Sequence, residues 1–166
     1  RPQGWLPGAE PGSVAYRPED LVPLAGTVLL SASRFTEVKR LPMLIEAFAT
    51  ARPRFEGPAA LVILGGYPGE WEGEHPAETI RRIGARDVFL AGWHPHEELP
   101  AFFNAGDLFV HPSPNEQFGQ VIVEAMACGL PAIAAARGGP AHILEDGRTG
   151  WLIPPNAPHA LQDAIV

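Results

Sequence analysis

Residues 108–135 read LFVHPSPNEQFGQVIVEAMACGLPAIAA. A short apolar run closes at Pro112 and Pro114, the chain turns at Gly119, and an apolar helical pattern follows until Gly129 and Pro131 end it. A second short apolar run, 132–135, comes next. Strand, helix and strand packed this closely predict parallel strands joined by a helical crossover.

The pattern extends in both directions. Candidate strands lie at 28–32, 60–64, 88–91, 108–111, 132–135 and 151–153. Helical patterns occupy 42–51, about 77–83, 97–104, 120–128, 141–145 and 159 to the end, with Pro42 suited to a first helical turn. Regular alternation predicts an α/β fold: a Rossmann-like parallel sheet of about six strands with helices on both faces. Ligands of such sheets sit at the carboxyl ends of the strands, so the residues following each strand are the ones to read for function.

At 166 residues the chain has the length of one domain with one sizeable core. Its 18 glycines and 19 prolines favour many short elements joined by defined turns. They are dense in residues 1–26, which read as a lead-in segment, leaving 27–166 as the domain. Residues 66–76, GYPGEWEGEHP, read as an acidic surface loop. Twelve basic residues against 19 acidic ones give a net charge of −7, which argues against nucleic acid or an anionic membrane held by bulk electrostatics. An anionic ligand has to be caught by a local site. The single cysteine, Cys128, excludes an internal disulfide framework and fits a reducing, cytoplasmic compartment. No apolar run reaches the roughly 18 residues of a membrane span.

After the first strand comes SASRFTEVKR, with Arg34 and Lys39 five residues apart. Neither G-x-G-x-x-G nor a P-loop occurs there, which speaks against a dinucleotide dehydrogenase or a P-loop kinase. Two cations at the mouth of a parallel sheet suit a diphosphate, Arg34 through its planar fork and Lys39 as a point charge. On position alone, two solvated surface residues are the better account of them. After the fourth strand, the backbone N–H groups of Phe118, Gly119, Gln120 and Val121 are expected to point out of a helix N-terminus, where they suit an anionic or hydroxyl-rich ligand. Glu116 precedes that terminus, where it could equally serve as a cap. Glu124 is the only charge in the apolar run QVIVEAMACGLP, so it is either a costly burial or a group that meets ligand hydroxyls. Gly138 and Gly139, after the fifth strand, allow a close backbone approach to a ligand or mark a plain turn.

These residues carry a resemblance. Through LLSASRFTEVKRLPMLIEAF, VFLAGWHPHEELPAFFNAGDLFVHPS, NEQFGQVIVEAMACGLPAI and GGPAHILEDGRTGWLIPP, the chain from about residue 28 onward resembles the C-terminal, donor-binding domain of glycosyltransferase family 4, the retaining GT-B enzymes. Two glutamates separated by seven residues and followed by Ala-Met-Ala-x-Gly-x-Pro are its most specific element.

The resemblance implies that Arg34 and Lys39 bind the diphosphate of a nucleotide sugar. It also implies that Glu116 contacts sugar hydroxyls near the reacting carbon and that Glu124 accepts hydrogen bonds from the ribose. The amides of residues 118–121 would hold sugar and phosphates, and Gly92 and Trp93 would lie near the nucleobase. The implied reaction is sugar transfer from a nucleotide diphosphate sugar with retained anomeric configuration and without a cofactor or metal, making Glu116, Arg34 and Lys39 the catalytic set. His142 stands where the family often has Glu, and Gln120 where it often has Leu or Met. The acceptor-binding N-terminal domain that precedes this region in the family lies outside the chain. The isolated chain is therefore expected to bind donor weakly and transfer nothing, with acceptor choice and any peripheral membrane association left to that domain. The alternatives are a non-catalytic nucleotide-sugar-binding module and a nucleotide-sugar epimerase of the same fold.

Other motifs are weaker. His94 and His96 beside Glu97 and Glu98 read as a polar helix start before they read as a metal site. Cys128 reads as a small buried hydrophobe. No serine lies in G-x-S-x-G.

Overall fold

The computed structural model describes residues 26–67 and 69–166. The expected lead-in therefore lies outside the described residues, Gly26 excepted. The strands are β1 (Thr27–Ser33), β2 (Ala59–Gly65), β3 (Val88–Gly92), β4 (Leu108–His111), β5 (Ala132–Ala135) and β6 (Gly150–Ile153). The helices are α1 (Leu41–Ala51), α2 (Pro76–Ile83), α3 (Leu99–Asn104), α4 (Gln120–Ala127), α5 (Gly139–Ile143) and α6 (Pro158–Ala164). They form the expected α/β fold, one six-stranded sheet in the order β3-β2-β1-β4-β5-β6 with every pair parallel.

Period-two burial explains why both faces are covered. Val28, Leu30 and Ala32 of β1 pack with Val62, Phe89 and Phe109 against Phe102, Phe103, Ile122 and Ala125. The intervening Leu29, Leu61, Ile63 and Val110 pack against Leu41, Leu44, Ile45, Phe48 and Leu161. Strands apolar on both faces are what a sheet buried between two helix layers requires.

Two helices differ from the sequence reading. The turn before α3 separates as a three-ten turn, His96–Glu98, and Pro100 sits in the first turn of the helix. α5 starts two residues early because Pro140 fits the first turn, where its missing N–H costs nothing, and it ends at Ile143 because Leu144 is extended and buried.

α2 carries an unusual cap. The N–H of Ala77 donates to Nδ1 of His75 at 3.0 Å, and Phe35 and Trp71 each meet the His75 ring edge-on at 5.3 Å. Burial lowers the His75 pKa from its ordinary 6.5, which keeps the imidazole neutral and Nδ1 free to accept. On acidification the unfolded chain takes up this proton before the folded one, so the cap's contribution falls as pH drops below about 6.5. His75→Ala is expected to cost about 1–2 kcal/mol in urea unfolding at pH 7.5, with the gap to wild type narrowing at pH 5.

Candidate functional site

Strand order reverses between β1 and β4, and their ladder pairing is confined to Leu29 with Leu108 and Leu30 with Phe109. Beyond that point β1 runs on to Ser33 beside β2 alone, and a cleft of about 1040 Å³ opens at the carboxyl ends of the strands. A topological switch point is where doubly wound sheets bind ligands.

Arg34, Lys39, Glu116, Glu124, Gln120, Val121 and Trp93 all line this cleft. Arg34 follows the last residue of β1 and is exposed, with no hydrogen bond or ion pair to any described residue. Lys39 closes the three-ten turn Glu37–Lys39. The next residue, Arg40, adopts a left-handed conformation (φ 56°) and braces the turn by donating from Nη1 to the Glu37 carbonyl and from Nε to Oδ1 of Asn156.

Lys39 and Glu116, 77 positions apart in sequence, meet at 2.9 Å between Nζ and Oε2. The same oxygen accepts from Nε2 of His111, also at 2.9 Å. His111 ends β4 and is 2% exposed. Its hydrogen bond, aided by the Lys39 ammonium, outweighs partial burial and lowers the Glu116 carboxyl from 4.5 to about 2. Glu116 is thus an ionised acceptor at neutral pH. On α4, Glu124 faces the cleft with Oε1 3.2 Å from Nε2 of His96, which comes from the turn after β3.

α4 begins after Gly119, whose φ of 86° suits glycine. The N–H groups of Gln120 and Val121 have no acceptor among the described residues, so they are available to a ligand. Phe118 and Gly119 do not line the cleft, and the Phe118 ring is exposed. Gly92 ends β3 just before Trp93. Gly138 and Gly139 sit behind the site. Gly139 donates its N–H to the Glu116 carbonyl at 3.0 Å, and a Cβ on either glycine would overlap backbone of residues 116–118. Their close approach is made to the loop that carries Glu116.

The cleft holds residues that sequence reasoning did not single out. His111 carried a signal, being the last residue of a strand that ends at the crevice. Tyr67 and Trp71 belong to residues 66–76, whose sequence reads as an acidic surface loop. Both line the cleft, and Tyr67 meets Trp93 edge-to-face at 5.3 Å. His94 is tied to the Ala91 carbonyl and to Glu98, and no group of three His, Cys, Asp or Glu among the described residues is placed to hold a metal ion. Cys128 is half-buried against the α4 side of the core. No helix among the described residues is long and apolar enough to cross a membrane.

A doubly wound parallel sheet with cations, carboxylates and free helix amides at its switch point defines a Rossmann-like α/β domain whose cleft suits an anionic, hydroxyl-bearing ligand. The structure resembles Anabaena HepE in complex with UDP and glucose, with a TM-score of 0.74 and 30% identity over 89% of this chain and 40% of that one. It also resembles sucrose-phosphate synthase from Thermosynechococcus elongatus, with a TM-score of 0.71 and 31% identity over 89% of this chain and 37% of that one. The chain belongs to the glycosyl transferases group 1 family, whose model matches residues 15–166. Among curated relatives, a D-inositol 3-phosphate glycosyltransferase of Corynebacterium urealyticum is 31% identical over 97% of this chain and 39% of its own length. The alpha-1,3/1,6-mannosyltransferase alg-2 of Neurospora crassa is 31% identical over 83% of this chain and 35% of its own length. The chain therefore spans about two fifths or less of these relatives.

Proposed function

We propose that the chain is the C-terminal, donor-binding domain of a retaining family 4 glycosyltransferase, and that its ligand is a nucleoside diphosphate hexose. The observation that carries this reading is the convergence of Arg34, Lys39, Glu116, Glu124 and the free amides of α4 on one cleft at the switch point. Structures of HepE with UDP and glucose, and with UDP-glucose, support the ligand class by similarity.

Each group has a chemical task. Transfer breaks the bond between the anomeric carbon and the diphosphate, so negative charge grows on the leaving oxygen while the sugar becomes oxocarbenium-like. Arg34, Lys39 and the α4 amides offer fixed positive charge to that oxygen and its phosphates, and this set is sufficient without a metal. Glu116, ionised, accepts from sugar hydroxyls, and Glu124 accepts from the ribose. The base lies against Trp93 and Tyr67 at the cleft's edge. The acceptor and the second wall of the site belong to the preceding domain of the parent protein.

A calorimetric screen of UDP, GDP and ADP with their glucose or mannose derivatives tests the binding half of this reading. At least one nucleotide sugar should bind, weakly in the isolated chain, and a blank screen would sink the proposal. In the full-length parent, Glu116→Gln should lower transfer by about a hundredfold or more with nucleotide affinity kept. Unchanged turnover would favour a binding module instead.

A further inference from the structure

We propose that His111 is a positioning residue that pins one oxygen of the Glu116 carboxylate and so presents the other to the sugar of the bound nucleotide sugar. The inference rests on the function proposed above and adds a residue to it.

Lys39 Nζ and His111 Nε2 converge on the same atom, Oε2, and Oε1 of Glu116 has no partner among the described residues. The two donors differ in rigidity. Lys39 is a flexible stem on a three-ten turn at the rim, placed to turn toward a diphosphate. His111 ends a strand in register with Ala134 of β5, is 2% exposed, and lies nearly parallel to the Phe109 ring, with an interplanar angle of 11°. When phosphate draws Lys39 away, the imidazole remains to hold Glu116. Since a carboxylate oxygen only accepts, Nε2 carries the proton. From its fixed place at the end of β4 this donor orients Glu116.

The role separates sugar recognition from nucleotide recognition. His111→Phe keeps the ring and its packing on Phe109 but removes the donor, and His111→Gln returns an N–H close to the Nε2 position. His111→Asn, whose amide reaches only the Nδ1 position, is a second donor-loss variant should phenylalanine impair folding. Taking the best-binding diphosphate and sugar pair from the screen of UDP, GDP and ADP compounds, donor loss should weaken the nucleotide sugar about tenfold and the free diphosphate less than twofold. His111→Gln should restore most of the difference. In the same variants, carbon NMR of the Glu116 carboxyl should show its midpoint rising from about 2 toward 4.5 on donor loss and falling back with Gln.

A ratio of sugar to diphosphate affinity unchanged in the Phe and Asn variants would overturn the proposal, as would a Gln variant no better than Phe. Wild-type chain that binds no nucleotide sugar would overturn the proposed function and this role with it. Wild-type binding with an unchanged ratio in the variants would remove His111 alone.

Discussion

Arg34→Ala is expected to weaken binding of a nucleoside diphosphate to the chain by ten- to a hundredfold. The guanidinium lines the cleft, and no described residue neutralises it, so its charge is fully available to a phosphate. A charge-assisted hydrogen bond contributes about 1.5–3 kcal/mol, and each 1.4 kcal/mol is about a factor of ten. Lys39 is the informative contrast. It already pairs with Glu116 at 2.9 Å, so binding phosphate exchanges one anion for another. Lys39→Ala should therefore cost less, about three- to tenfold. Titration calorimetry of both variants checks the order, and unchanged affinity in Arg34→Ala would remove the phosphate clamp.

Gly139→Ala should cost about 3 kcal/mol of stability and most of the nucleotide-sugar affinity. A Cβ there would overlap the Phe118 carbonyl and lie 2.6 Å from the Gln117 oxygen. Its neighbours are backbone, which cannot rotate aside as a side chain can. The loop must shift, carrying Glu116 off His111 and breaking the hydrogen bond from Gly139 to the Glu116 carbonyl. Gly57 is the control, because nothing lies within 4 Å of its added Cβ. Gly57→Ala should leave stability within about 0.5 kcal/mol of wild type. Urea unfolding of the two variants with matched slopes tests this, and equal midpoints would refute the packing role.

How much of this was legible in the sequence follows from the reach of each signal. Strand and helix positions were legible to within about two residues because they rest on local periodicity and on prolines and glycines that act where they stand. α5 and the turn before α3 moved because Pro140 and Pro100 each set a helix's first turn, and because tertiary burial of Leu144 extends the chain there. Strand order is different in kind. The run of β1 beside both β2 and β4, and hence the position of the cleft, depends on contacts between residues far apart in sequence, Leu29 with Leu61 on one side and Leu29 with Leu108 on the other.

The candidate residues divide in the same way. Arg34, Lys39, Glu116 and Glu124 stood out as charges at strand ends or in an apolar helix, against a chain whose net charge is −7. Their pairings did not stand out. His111 pinning Glu116, His96 facing Glu124, Gly138 and Gly139 backing the 116–118 loop, and Tyr67 against Trp93 are all pairings that no spacing rule anticipates.

By itself, then, the sequence determined the elements, the fold class and the charged groups offered to a ligand, since each follows from residues within a few positions of one another. The tertiary structure alone decided which of those groups share an atom, which cation stays unneutralised and which glycines serve the loop behind the site. Those are matters of distances near 3 Å between segments that only the parallel sheet brings together.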